Sequence, residues 1–182
     1  MKTLLYVVGQ MVGWFACVIG ASRSIPWLGL LVVLGLLVFH LATRGRRSVR
    51  RILALAFFSI FFGFCFDSLL IVAGVYEPVR WLISPPFTTI WLMALWINFS
   101  LIVDVPLRWL QQHLLVASVF GAVFGPAAYV GGQRFGAIRI LEPANLHSVI
   151  LAAAWALGLA AFMLTARLLP TFGPRRQLQE RL

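Results

Sequence analysis

Apolar residues run along this chain in six long blocks separated by short polar breaks, at about 4–21, 26–42, 52–75, 87–103, 114–130 and 146–169. A membrane-crossing helix needs roughly 20 apolar residues, so six spans use about 120 of the 182 residues and leave about 60 for every loop and both tails. The pattern predicts an all-α, polytopic integral membrane protein: six transmembrane helices in a compact bundle, forming a single transmembrane domain over 1–182.

The breaks have characters of their own. The first block follows Lys2 and ends at Ser22-Arg23-Ser24, with the basic start and length of either a signal peptide or a first span. Ile19-Gly20-Ala21 could be cleaved. Gln10 and Gly13 interrupt the apolar region, however, and the second block follows within five residues, which fits a retained first span better. The second block stops at Arg44-Gly45-Arg46-Arg47-Ser48-Val49-Arg50-Arg51, five arginines in eight residues. The third ends near Tyr76-Glu77-Pro78. Pro85-Pro86 precede the fourth, where a helix can begin, and Asp104-Val105-Pro106 closes it with a turn. Gly125-Pro126 lies inside the fifth, so a kink is expected there. A polar connection from Gly131 to Asn145 leads to the sixth, which ends at Pro170 before a basic tail. No internal three-plus-three repeat emerges.

Composition narrows the class. The chain is 62% hydrophobic and 11% charged, where soluble domains run near 25% charged, and this excludes a soluble globule. The formal +10 charge comes from basic residues that punctuate apolar runs instead of forming a patch, which argues against nucleic acid as a partner. Those residues give an orientation instead. With the N-terminus inside, Lys2, Arg44, Arg46, Arg47, Arg50, Arg51, Arg108, Arg167, Arg175, Arg176 and Arg181 lie inside, against Arg23, Arg80, Arg134 and Arg139 outside: eleven to four. Both termini are expected in the cytoplasm, with the arginine run also serving as a surface for anionic lipid. Trp27, Trp81 and Trp109 fall at expected interfaces.

Small residues mark the faces through which helices approach one another in lipid. Gly9, Gly13, Cys17 and Ala21 form a stripe on the first span, Gly121 and Gly125 on the fifth, Ala154 and Gly158 on the sixth. On the third, Ser59, Gly63, Asp67, Leu70 and Gly74 share an inward face, while the phenylalanines cover most of the rest. Cys17 and Cys65 lie in apolar runs without metal-ligand spacing and read as buried thiols.

Asp67 is the most informative residue, because an ionisable group inside a span costs a few kcal/mol and points to a role. It is expected about 12 Å below the outer end of its helix. Trp91, Tyr129, Gln133, Arg134 and His147 lie at matching depth or within reach and outline, with Asp67, a ligand pocket opening outward. Asp67 and His147 are the candidate acid and base, with His147 or Arg134 as the partner of Asp67; the plain structural alternative is a carboxyl that locks helices together. Gln10 and Asn98 read as interhelical glue, His40 as an interfacial residue, and Asp104 as a local cap or partner of Arg108. The glycines of Gly131-Gly132-Gln133-Arg134-Phe135-Gly136 fit a helix-ending turn, since the run lacks the lysine and setting of a phosphate loop. No motif for a metal, haem or other cofactor occurs, and neither metal nor cofactor is expected.

Gly13–Ala21, Pro26-Trp27-Leu28-Gly29, Asp67-Ser68-Leu69-Leu70, the run from Trp91 to Trp96, Leu107-Arg108-Trp109-Leu110 and Gly125-Pro126-Ala127-Ala128-Tyr129 stand in an order that resembles a bacterial inner-membrane family, domain of unknown function 2878. The resemblance implies a small multi-span protein of the bacterial inner membrane and a link to lipid metabolism, and supplies no catalytic residues. Three readings follow: an accessory factor in membrane-lipid binding or modification; a lipid-active membrane enzyme using Asp67 and His147; and a small proton-coupled transporter with Asp67 as its titrating group. Membrane lipids are the expected partners; a protein partner in the envelope and the oligomeric state are left open.

Overall fold

The computed structural model describes residues 2–43, 46–80 and 85–169. The expectations placed on Arg44, Trp81, Pro170 and the tail arginines Arg175, Arg176 and Arg181 lie outside the described residues. Six α-helices follow in order: α1 (Lys2–Ser22), α2 (Trp27–Thr43), α3 (Arg46–Val72), α4 (Ile90–Val103), α5 (Leu114–Arg134) and α6 (Ala144–Leu168). One helix grows from each apolar block. Four of them, α1, α3, α5 and α6, are long and apolar enough to cross a membrane, whereas α2 and α4 are shorter apolar helices of 17 and 14 residues. The helical architecture carries one unexpected addition, a two-stranded antiparallel sheet of β1 (Tyr76–Pro78) and β2 (Ile138–Ile140), with Tyr76 opposite Ile140 and Pro78 opposite Ile138.

Helix boundaries differ from the apolar blocks for local reasons. The third helix takes in the arginine run from Arg46, since nothing in that run breaks a helix, and stops at Val72. The fourth starts at Ile90, after Thr89 in extended conformation; the Thr88 N–H donates to Ser68 Oγ at 3.0 Å instead of entering a helix. The fifth runs through Pro126 and four residues past the expected end at 130. Helices α1, α3 and α5 close alike: Ser24, Gly74 and Gly136 take left-handed φ of 62°, 70° and 76°. The N–H of the following residue then reaches back, Ile25 to Gly20 O at 2.8 Å, Val75 to Leu70 O at 3.0 Å and Ala137 to Gly132 O at 2.9 Å. This is the Schellman closure. After Gly74 and Gly136 the chain turns directly into the paired strands.

Position explains the short fourth helix. It is packed by α1, α2 and α3 and is buried around its circumference, as at Trp91, Ala94, Asn98 and Leu101; a helix apolar on all sides belongs at the centre. At 1.5 Å per residue it covers about 21 Å, less than the ~30 Å hydrocarbon layer. Small residues let neighbours approach, as expected in lipid. A Cβ on Gly13 would meet the Asn98 amide at 2.4 Å, and one on Gly121 would meet the Trp155 carbonyl oxygen at 2.1 Å.

The fifth and sixth helices pack chiefly on each other, and join the rest through the sheet, a 3-10 turn at Arg108–Gln112 and a limited contact of α3 with α6. A polar clamp closes the end away from the sheet. The Arg51 guanidinium donates to both Asp104 carboxylate oxygens, at 2.6 and 2.7 Å, and to the Ala166 and Leu169 carbonyls, at 2.8 and 2.6 Å. Asp104 therefore pairs with Arg51 on α3, not with Arg108, and one arginine of the basic run is spent tying α3 and α4 to the C-terminus of α6, where a cation suits the helix dipole.

Candidate functional site

Asp67 is 1% exposed, on the face of α3 that also buries Ser59, Gly63 and Leu70. Because the helix ends at Val72, it lies about 7.5 Å from that end, not the 12 Å expected from a longer helix. Three donors converge on its carboxyl from three other elements. Tyr76 Oη of β1 and Tyr129 Oη of α5 donate to Oδ1 at 2.7 and 2.6 Å, and Trp96 Nε1 of α4 donates to Oδ2 at 2.7 Å. Among the described residues Asp67 enters no ion pair.

The sequence builds this arrangement locally. One turn before Asp67, Gly63 leaves room for the Trp96 indole, whose Cδ1 would lie 2.1 Å from a Cβ there; the ring lies over Gly63 while its N–H reaches Asp67. The Trp96 indole then stacks on Trp155 of α6, with centroids 5.2 Å apart and planes 2° off parallel. Tyr76 arrives through the Gly74 turn and meets Tyr129 edge to face at 4.8 Å. Burial, with the facing carboxyl of Asp67, pushes the Tyr76 phenol well above its ordinary range, so its hydroxyl remains a donor.

The expected pocket divides. Trp91 and Tyr129 line one cavity with Asp67. Gln133, Arg134 and His147 do other things: Gln133 Oε1 accepts the Ile140 N–H at 2.7 Å and so braces β2, Arg134 is exposed at the end of α5, and His147 Nδ1 is 2.7 Å from the Leu141 carbonyl oxygen. The hydrogen bonds at Asp67 come from Tyr76, Trp96 and Tyr129, where His147 or Arg134 was expected. Tyr76 and Trp96 are the participants missed from sequence. A signal existed for the first: Tyr76-Glu77-Pro78 and Ile138-Arg139-Ile140 each alternate apolar, charged, apolar, as two short paired strands would. Glu77 and Arg139 form an ion pair across that pair.

The cavity beside Asp67 is a cleft of about 570 Å³ between α1 and α4 on one side and α5 and α6 on the other. Its walls are overwhelmingly apolar. Met11 and Phe15 of α1 and Phe124 of α5, which belong to its lining, are 49%, 41% and 61% exposed, so the cleft opens through the flank of the bundle. The sheet lies over the Asp67 end and buries Tyr76 and Ile138 beneath it. In the wall, the Trp91 indole N–H is buried and has no hydrogen-bond partner among the described residues. Among the described residues no three His, Cys, Asp or Glu side chains gather as a metal-ion set.

The family model described as "Protein of unknown function (DUF2878)" matches residues 3–161. No curated protein and no solved structure matches the chain.

Proposed function

The chain belongs to the DUF2878 family of proteins of unknown function, and from that premise we propose that it is a bacterial inner-membrane protein of six spans that binds a membrane lipid in the cleft beside Asp67, as an accessory factor in lipid handling. In this reading α2 and α4 are the short spans, both termini are cytoplasmic, and the sheet faces outward. The observation that carries it is the flank opening: an apolar cleft of about 570 Å³ whose rim residues Met11, Phe15 and Phe124 are exposed on the sides of helices. Ligand pockets run about 300–1,000 Å³, and in a bilayer a side opening admits an acyl chain directly from the lipid. Asp67 acts here by fixing the wall. With both carboxyl oxygens engaged, it sets the rotamers of Trp96 and Tyr129, which line the cleft. The Trp91 N–H supplies one hydrogen-bond point for an oxygen on the bound molecule.

The test is lipid co-purification. The full chain, extracted in mild detergent, is expected to retain lipid detectable by native mass spectrometry. Ala128→Trp, which fills the cleft from α5, should lose it, while Val123→Trp, on an exposed position of the same helix, should keep it. Equal lipid in the parent and in Ala128→Trp would overturn the reading, and an unchanged lipid profile with altered solute uptake in cells lacking the gene would favour transport instead.

A further inference from the structure

A second cavity of about 580 Å³ lies toward the other end of the bundle, enclosed by the start of α1, the end of α2, the start of α3 and the end of α4. Its polar walls are Tyr6, Gln10, His40, Thr43, Ser48 and Asn98. Two of these carry acceptors that nothing among the described residues satisfies: Gln10 Oε1 and Asn98 Oδ1 are buried and without a hydrogen-bond partner there, although the Asn98 amide N–H donates to the Gln10 backbone carbonyl at 3.0 Å. Asn98 is 1% exposed. A buried amide oxygen left unpaired bears its full desolvation penalty, so a donor belongs in this chamber. Gln10 and Ile102 line both this chamber and the apolar cleft, and stand where the two adjoin.

The chemistry of the walls restricts the ligand. Among the described lining residues there is no carboxylate to balance an ammonium group and no Lys or Arg to balance a phosphate or carboxylate. Amide oxygens call for O–H or N–H donors, and the side chains around them are hydroxyls, amides and an imidazole. A neutral, hydroxyl-rich group meets both conditions. We infer that the two cavities form one amphiphile site, in which an uncharged polyol headgroup donates its hydroxyls to Gln10 and Asn98 while its hydrocarbon chain passes Gln10 and Ile102 into the cleft beside Asp67. The inference rests on the lipid reading of that cleft, and names the headgroup class.

The experiment compares ligands that share one oleoyl or oleyl chain. The full chain is held in an amine-oxide detergent, which brings no sugar headgroup, and is titrated with monooleoylglycerol, methyl oleate, oleate and oleylamine, with native mass spectrometry as the readout. Monooleoylglycerol is expected to bind about tenfold tighter than methyl oleate, the worth of one to two hydrogen bonds to buried acceptors. Gln10→Leu should bring monooleoylglycerol down to the methyl oleate level and leave methyl oleate unchanged. Because Gln10→Leu removes an unsatisfied buried oxygen, its thermal stability should match or exceed that of the parent, which separates lost binding from lost folding. Equal binding of monooleoylglycerol and methyl oleate, or a preference for oleate or oleylamine, would overturn the headgroup inference. Free glycerol competing as well as monooleoylglycerol would overturn the joining of the two cavities. Ala128→Trp reads the cleft separately: it should abolish binding of all four chains, and its failure to do so would overturn the lipid reading itself.

Discussion

Replacing Asp67 by alanine strands three donors at once. In the folded chain, Tyr76 Oη, Tyr129 Oη and Trp96 Nε1 all end on its two carboxyl oxygens at 2.6–2.7 Å, and the site is 1% exposed, so water does not replace the acceptor. Hydrogen bonds within membrane proteins are worth about 0.6 kcal/mol each on average, which sets a floor of about 2 kcal/mol for three. A stranded buried donor costs about 1–3 kcal/mol, and if the two hydroxyls rotate toward other acceptors while the indole cannot, the total rises to about 4 kcal/mol. Asp67→Ala is therefore expected to lose about 2–4 kcal/mol of stability against unfolding in bicelles, read from tryptophan fluorescence during titration with a denaturing detergent. Asp67→Asn separates the oxygens. Its amide oxygen can still take both tyrosines, leaving a donor facing the Trp96 N–H, and its loss should be smaller, about 1–2 kcal/mol. An alanine variant within about 0.5 kcal/mol of the parent, the spread of ordinary surface substitutions, would refute the reasoning. So would an asparagine variant less stable than the alanine one.

Three further outcomes follow from the same geometry. Gly121→Val should cost at least about 2–3 kcal/mol by driving α5 off α6, since its Cβ would lie 2.1 Å from the Trp155 carbonyl oxygen; Gly35→Ala, on a helical position with nothing within 4 Å of a Cβ, should instead stabilise by about 0.5–1 kcal/mol, both read by thermal unfolding in detergent. Ser24→Gly should raise stability by about 1 kcal/mol, because Ser24 closes α1 at a φ of 62° that an L side chain adopts at a cost, and no gain would show that the α1–α2 turn opens without consequence. For topology, reporters fused after Arg51 should be active as cytoplasmic fusions and those near Gln133 as periplasmic ones; the reverse would move the sheet and Asp67 to the inner face.

What hydropathy makes legible is depth along a span, and the helices appear where it places them. It carries less about how a helix ends. Gly131, Gly132, Gln133 and Arg134 read as a polar connection because their side chains are small or polar, yet they are the last turn of α5, and the helix-ending turn expected of that glycine run closes at Gly136. The strands after Gly74 and Gly136 are three residues each, too brief to outweigh the apolar blocks beside them. Asp104 shows the same limit. Arg108, four residues away, was the local choice of partner; the ion pair forms instead across 53 positions with Arg51, from a run whose number of charges describes orientation and not contact.

Azimuth, the direction in which each side chain leaves its helix relative to other helices, is the information that separates a residue from its site. Asp67 was legible because a carboxyl in a span must find partners wherever it points, and its inward face with Ser59, Gly63 and Leu70 follows from helical spacing alone. Its partners were not legible, because helical spacing relates residues within α3 and says nothing of α4 or α5. Trp91 and Trp96 illustrate the point on one helix. They share a residue type and near-complete burial, yet Trp96 donates to Asp67 and Trp91 finds no hydrogen-bond partner among the described residues. The difference lies across the interface, at Gly63: the missing side chain there admits the Trp96 ring against α3 and brings its N–H to the carboxyl one turn away. A glycine that reads in sequence as one more small residue thus decides which of two tryptophans is structural, and leaves the other with a free donor in the cleft wall.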